Sequence, residues 1–200
     1  MKILTNPHFF SNLMIFFSSY VVIRKYFIKQ SKYNALLLIG FAAIIALRAI
    51  SDLLYGTFNA PIENINHYIA TSAMVLAPII LISATWSIIL HKPAQITQFF
   101  TTMGISWVLL FFVIWFQVDY LGLIIQSFCI LLIMLISILG LATKQKSALW
   151  VIIAMMFYAL IIKSTALPIP MNPIDIEHYL MTLCILSLGK AVGSQYKYIF

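Results

Sequence analysis

Arg48 and Asp52 stand four residues apart inside an otherwise apolar stretch. If that stretch is helical, they lie one above the other on one face. Ser51 and Tyr55 belong to the same stretch, Asn66 and His67 follow, and Asp175 precedes His178 by three residues. These residue types carry two kinds of chemistry. Two histidines (His67 and His178) with a carboxylate (Asp52 or Asp175) make a first shell for a hydrolytic metal, with zinc the expected ion. The remaining carboxylate then orients a ligand or acts as a base, and Ser51 gives polar support. Alternatively, Arg48 anchors an anionic group, because a planar guanidinium suits carboxylate and phosphate. In that case Tyr55 and Asn66 join it as binding residues. A purely structural reading stands beside both: an ion pair and interfacial histidines that pin helices together.

Other chemistries find little support. There is no P-loop, GxSxG or HExxH pattern. Cys129 and Cys184 fall in apolar runs and read as buried thiols. Lys190 invites comparison with a Schiff-base lysine, but Leu186 precedes it by one turn where a carboxylate would be needed. Snorkelling towards the interface accounts for it better. A b-type haem held axially by His67 and His178 is a further reading, although both histidines are shallow for it.

The elements that must position these residues follow from composition. The chain has 200 residues, 63% hydrophobic and 8% charged, with a mean hydropathy of +1.03. Soluble domains carry roughly 25% charged residues, so this chain has too little charge to cover itself in water. Disorder and a disulfide scaffold are excluded in the same way, the latter by having only 2 cysteines. A membrane-crossing helix needs about 20 mostly apolar residues. Seven such stretches occur, over roughly 8–28, 34–56, 67–90, 97–118, 120–142, 147–166 and 175–195. The expectation is an all-α integral membrane protein, a bundle of seven transmembrane helices forming a single domain. A β-barrel is rejected because runs such as Ile124 to Leu141 do not alternate. Pro61, Pro93, Pro168, Pro170 and Pro173 fall in the connections, while Pro78 lies inside the third span. The first stretch reads as a retained helix, because its basic cluster follows the apolar run and no small-x-small cleavage site comes after it.

Sorting the loops alternately to two sides gives the orientation. One side collects Arg24, Lys25, Lys29, Lys32, Lys92, Lys144, Lys146, Lys190 and Lys197, and the other only Lys2 and Lys163. The side rich in basic residues is cytoplasmic, so the N-terminus is expected outside and the C-terminus inside. The net charge of +7 is therefore a topology signal, and no nucleic-acid partner is expected. All five acids, Asp52, Glu63, Asp119, Asp175 and Glu177, fall towards the outer side with His67 and His178. His8 begins the first span near that side. Plain solvation explains the loop acids. It does not explain Arg48, which lies about 12 Å from the end of its helix by helical rise and needs a partner at that depth.

Seven spans, an outside N-terminus and a polar cluster on the second, third and seventh spans resemble the superfamily of alkaline ceramidases and progestin-receptor-like membrane hydrolases. There the second helix ends in Ser-x-x-x-His, an Asp opens the third, and the seventh opens with His-x-x-x-His. Here Ser51-x-x-x-Tyr55, Asn66 and then His178-x-x-x-Thr182 stand in matching register. Ser51 and His178 carry over. Tyr55 replaces the first histidine, Asn66 the acid and Thr182 the last histidine, with His67 beside Asn66. The resemblance implies a zinc-dependent hydrolase of a lipid-like amide or ester, with its site at the outer ends of the second, third and seventh spans. The residues alone leave a second expectation open, a non-catalytic binding or transport protein using Arg48. Membrane lipids are the expected surroundings, and compact loops suggest a bacterial inner membrane.

Overall fold

The structure is a computed structural model that describes residues 7–58, 63–166, 168 and 170–198. The side chains of Phe58 and Asp119 are outside the description, as are Lys2 and Pro61. The described residues form seven α-helices: α1 Phe9–Lys25, α2 Lys32–Phe58, α3 Glu63–Ile89, α4 Ile96–Phe116, α5 Asp119–Ala142, α6 Lys146–Ile162 and α7 Pro173–Gly193. The chain is all-α, and α2, α3, α4 and α5 are each long and apolar enough to cross a membrane. The helices α1 and α6 are shorter, at 17 residues each, or about 26 Å by helical rise. A 3-10 turn, Phe27–Lys29, extends the first.

Each expected span contains a helix, with shifted ends. The start of α3 and the end of α6 shift most, and α3 begins at Glu63 instead of near residue 67. Glu63 in the first turn is favoured by the positive end of the helix dipole, so the polar residues ahead of the apolar run are already helical. Asn66 and His67 thus sit at the end of the first turn and the start of the second, one turn further in than expected. At the other extreme, the sixth helix stops at Ile162 and is followed by a 3-10 turn, Ser164–Ala166. The start of α7 is well specified, because Asn172 caps it by accepting a hydrogen bond from the Ile174 amide at 3.0 Å, with Pro173 following.

Six helices close into a ring in the order α1, α2, α3, α5, α6, α7, with α1 packed between α2 and α7. The remaining helix, α4, lies outside the ring against α3. It buries the single stripe Thr102, Ser106, Leu110 and Val113, which is the helical spacing of one contact face. Gln98 fixes that contact by donating to the Ser83 carbonyl at 3.0 Å and to Ser83 Oγ at 2.8 Å. Pro78 lies inside α3 without ending it and is buried with its neighbours.

Small residues set the approach of α1 to α7. A Cβ on Gly189 would meet the Val22 methyls at 3.0 Å, and one on Gly193 would meet the Tyr26 ring at 2.7 Å. Close contact at this end fixes how the two helices are rotated towards each other at the other end. Polar side chains inside the helices are mostly satisfied locally. Thr71, Thr102, Ser106, Ser137 and Thr182 each donate to the carbonyl four residues before them, at 2.7–3.0 Å. The same end of the ring is also fastened by the C-terminal segment. His91 bonds the Gln195 carbonyl, and the Lys146 amide donates to the Lys197 carbonyl at 2.9 Å.

Candidate functional site

A partly open cavity of about 340 Å³ lies at the centre of the ring. All six ring helices contribute to its wall and α4 does not. Its apolar surface comes from residues such as Ile15, Ile45, Ala73, Met74, Leu123 and Met181. Its polar surface comes from Arg48, Gln126, Tyr158, Ser164, Thr165, Glu177 and His178. A few converging polar groups on a mostly apolar wall are the usual make-up of a small-ligand site.

Arg48 and Asp52 form the ion pair that their spacing suggests, with Arg48 Nε donating to Asp52 Oδ2 at 3.1 Å. Because Nε is the bonded atom, the two terminal nitrogens of the guanidinium have no protein partner among the described residues. Asp52 also reaches across to α7, where His178 Nε2 stands 3.6 Å from the same oxygen. On the other edge of the imidazole, Nδ1 lies 3.1 Å from Ser11 Oγ. The Ser11 hydroxyl donates to Asp175 Oδ1 at 2.5 Å. It has only one hydrogen to give, so its oxygen accepts from His178 Nδ1–H. His8 Nδ1 completes the chain, 3.0 Å from Asp175 Oδ1. A continuous polar line thus runs His8, Asp175, Ser11, His178, Asp52, Arg48, joining α7 to α1 and to α2.

The other expected site residues separate from this line. Ser51 is buried and donates to Asn66 Oδ1 at 2.7 Å. This bond ties α2 to α3, and neither residue lines the cavity. Tyr55 is exposed on the outward face of α2. His67 is exposed near the start of α3 and is not part of the cavity wall; α3 and α7 are not direct neighbours in the ring. Glu177, expected to be a solvated acid, instead lines the cavity, where its Oε1 accepts from Ser164 Oγ at 2.8 Å.

These positions bear on the expected zinc. His178 has the support that a metal ligand needs, with its Nδ1–H held by a neighbour and Nε2 free to face outward beside Asp52. A catalytic zinc takes three protein ligands, whereas the histidines and acids here meet in pairs, His178 with Asp52 and His8 with Asp175. Among the described residues no group of three His, Cys, Asp or Glu side chains is arranged to hold a metal ion. The expected zinc therefore has no complete donor set among the described residues. A haem held between His67 and His178 meets the same separation.

Three residues that sequence reasoning passed over matter most. Ser11 bridges His178 and Asp175, but a serine in a helix gives no sign of whether it bonds its own backbone or a neighbour. Gln126 and Tyr158 are 5% and 2% exposed, line the cavity, and have no hydrogen-bond partner among the described residues. Gln126 was detectable, being the only amide side chain between Leu121 and Leu141. Side chains of this kind on a cavity wall keep their hydrogen-bonding capacity for whatever enters it. Comparison with known protein families, with characterised proteins and with solved structures finds no match to this chain.

Proposed function

We propose that this chain is a seven-span integral membrane protein that binds a small ligand bearing an anionic group in the cavity of the helix ring, for binding or transport and not for hydrolysis. Its N-terminus faces outside and its C-terminus the cytoplasm, in keeping with the distribution of lysine and arginine. A bacterial inner membrane suits its short loops.

One observation carries the reading. The guanidinium of Arg48 is held by Asp52 through Nε, which leaves its terminal nitrogens unpaired on the wall of a cavity that also holds Gln126 and Tyr158 unpartnered. Two parallel donors on a guanidinium edge match the two oxygens of a carboxylate or phosphate. Asp52 orients that edge, and His178 Nε2 stands 3.6 Å from the same Asp52 oxygen. The hydrolase reading lacks an equivalent arrangement. The serine nearest the histidine, Ser11, is 1% exposed, does not line the cavity, and gives its proton to Asp175.

The test is a thermal-shift and calorimetric screen of the purified protein in detergent against small carboxylates and phosphates, with and without an ammonium group. At least one compound is expected to bind the wild type and to lose tenfold or more in affinity in Arg48→Gln. If no compound binds, or if binding survives Arg48→Gln unchanged, the reading is wrong. Stoichiometric zinc that disappears in His178→Ala would return the protein to the hydrolase class.

A further inference from the structure

The charges around the cavity narrow the ligand further, on the premise that the cavity binds an anionic group at all. Its fixed charges are one guanidinium, Arg48, and two carboxylates, Asp52 and Glu177. The two carboxylates already outnumber the one guanidinium before any ligand enters. A simple anion would add an uncompensated negative charge to a site enclosed by helices, where charge is poorly solvated. A simple cation would satisfy Glu177 but leave the terminal nitrogens of Arg48, and the donors of Gln126 and Tyr158, with nothing to bond.

Glu177 supplies the second half of the argument. It reaches the cavity from α7, where Oε1 accepts from Ser164 and Oε2 has no protein partner among the described residues. Ser164 orients Glu177 as Asp52 orients Arg48, each side chain being held by one atom with its remaining atoms free. The cavity thus presents an oriented cation on α2 and an oriented anion on α7. Two buried neutral groups, Gln126 on α5 and Tyr158 on α6, line the same space.

We infer that the ligand is a small zwitterion, with its oxyanion on Arg48 and its ammonium on Glu177. Gln126 and Tyr158 bond the polar atoms between the two charged ends. Such a ligand enters with no net charge and pairs both unpaired ends of the site. The chemistry is shared by free α-amino acids and by an aminophosphate such as a lipid headgroup. A cavity of about 340 Å³ holds a molecule of that size.

The test uses the full-length protein in detergent and compares four kinds of probe by calorimetry. These are free amino acids (glycine, alanine and leucine), the phosphodiester glycerophosphoethanolamine, the monoanions acetate and propionate, and the monoamine ethylamine. At least one zwitterion is expected to bind ten times or more tighter than the monoanions and the monoamine. Glu177→Gln is expected to remove at least tenfold of that preference while leaving monoanion binding equal or improved. Binding of amino acids alone identifies a free ligand; binding of glycerophosphoethanolamine alone identifies a headgroup. Monoanions that bind as tightly as zwitterions, with no effect of Glu177→Gln, overturn this inference and leave the Arg48 reading standing. Absence of binding by every probe overturns both. Where Arg48→Gln yields no folded protein, the double variant Arg48→Gln, Asp52→Asn removes the guanidinium without leaving Asp52 unpaired.

Discussion

Ser11 Oγ lies 3.1 Å from His178 Nδ1 and so joins the first helix of the chain to the last. The bond is one link in a line from His8 to Arg48 that crosses three helices, and the cavity opens beside its far end. Each link is a polar contact in apolar surroundings, where an unmade bond costs more than a made one gains.

Removing Ser11 tests that line. Ser11→Ala leaves His178 Nδ1–H without an acceptor and takes one donor from Asp175, which keeps His8. The expected loss is ~1–3 kcal/mol, the cost of an unsatisfied buried group. Thermal denaturation in detergent should show a midpoint several degrees lower, and a midpoint equal to wild type would show that the link is idle.

Arg48 and Asp52 should behave as a unit. Either single variant, Arg48→Gln or Asp52→Asn, strands the other charge and should destabilise the protein by ~1–3 kcal/mol, less than a fully buried pair because both side chains are partly exposed. The double variant should be more stable than the sum of the two singles predicts. Chemical or thermal unfolding of all four proteins gives the coupling directly, and strict additivity would mean that the two residues act independently.

Gln126 and Tyr158 should show the opposite pattern. Neither has a protein hydrogen bond to lose, so Gln126→Leu and Tyr158→Phe are expected to leave the unliganded protein unchanged or slightly more stable. The same variants should weaken ligand binding about tenfold, the usual consequence of losing one good polar contact in a closed site. Melting temperatures with and without ligand separate the two effects. A loss of stability in the unliganded protein would reveal a partner inside the fold.

Gly193 tests the contact between α1 and α7. A Cβ there would fall 2.7 Å from the Tyr26 ring, so Gly193→Leu forces the two helices apart. Overpacking of this kind typically costs ~1–3 kcal/mol. If the helices are coupled along their length, the variant also weakens ligand binding at the distant end. Unchanged affinity with lowered stability would confine the effect to the local contact.

The sidedness of the chain is open to labelling. Cys129 and Cys184 are both buried, so single cysteines at Lys92 and Thr165 report separately. A membrane-impermeant maleimide added to whole cells should label position 165 and spare position 92. The reverse result inverts the topology.

Depth along each helix was legible in the sequence, but the arrangement around the ring was not. Apolar runs and the prolines between them placed all seven helices because both act locally, through hydropathy and backbone geometry. The pairing of Arg48 with Asp52 was legible for the same reason, being internal to one helix. His67 and His178 were expected to share a depth and so a site. That inference needs to know which helices are neighbours, and hydropathy carries no such information. Glu177 was read as solvated because its sequence surroundings resemble a loop end, whereas its direction is set by the rotation of α7 against α6 and α1. The Ser51–Asn66 bond shows the same limit: the two residues join α2 to α3, and neither lines the cavity.

The position of α1 in the ring has a consequence for how the protein is made. The helix synthesised first has one of its two flanking neighbours, α7, at the far end of the chain. Until α7 emerges, the ring cannot close, and Ser11 and His8 wait without Asp175 and His178. Arg48 is spared that wait, because Asp52 leaves the ribosome four residues later on the same helix. The Arg48 charge thus has its partner early, and the contacts between α1 and α7 are made only once α7 is present. Assembly then becomes a single late event, in which the arrival of the last helix locks the first one in place and completes the cavity.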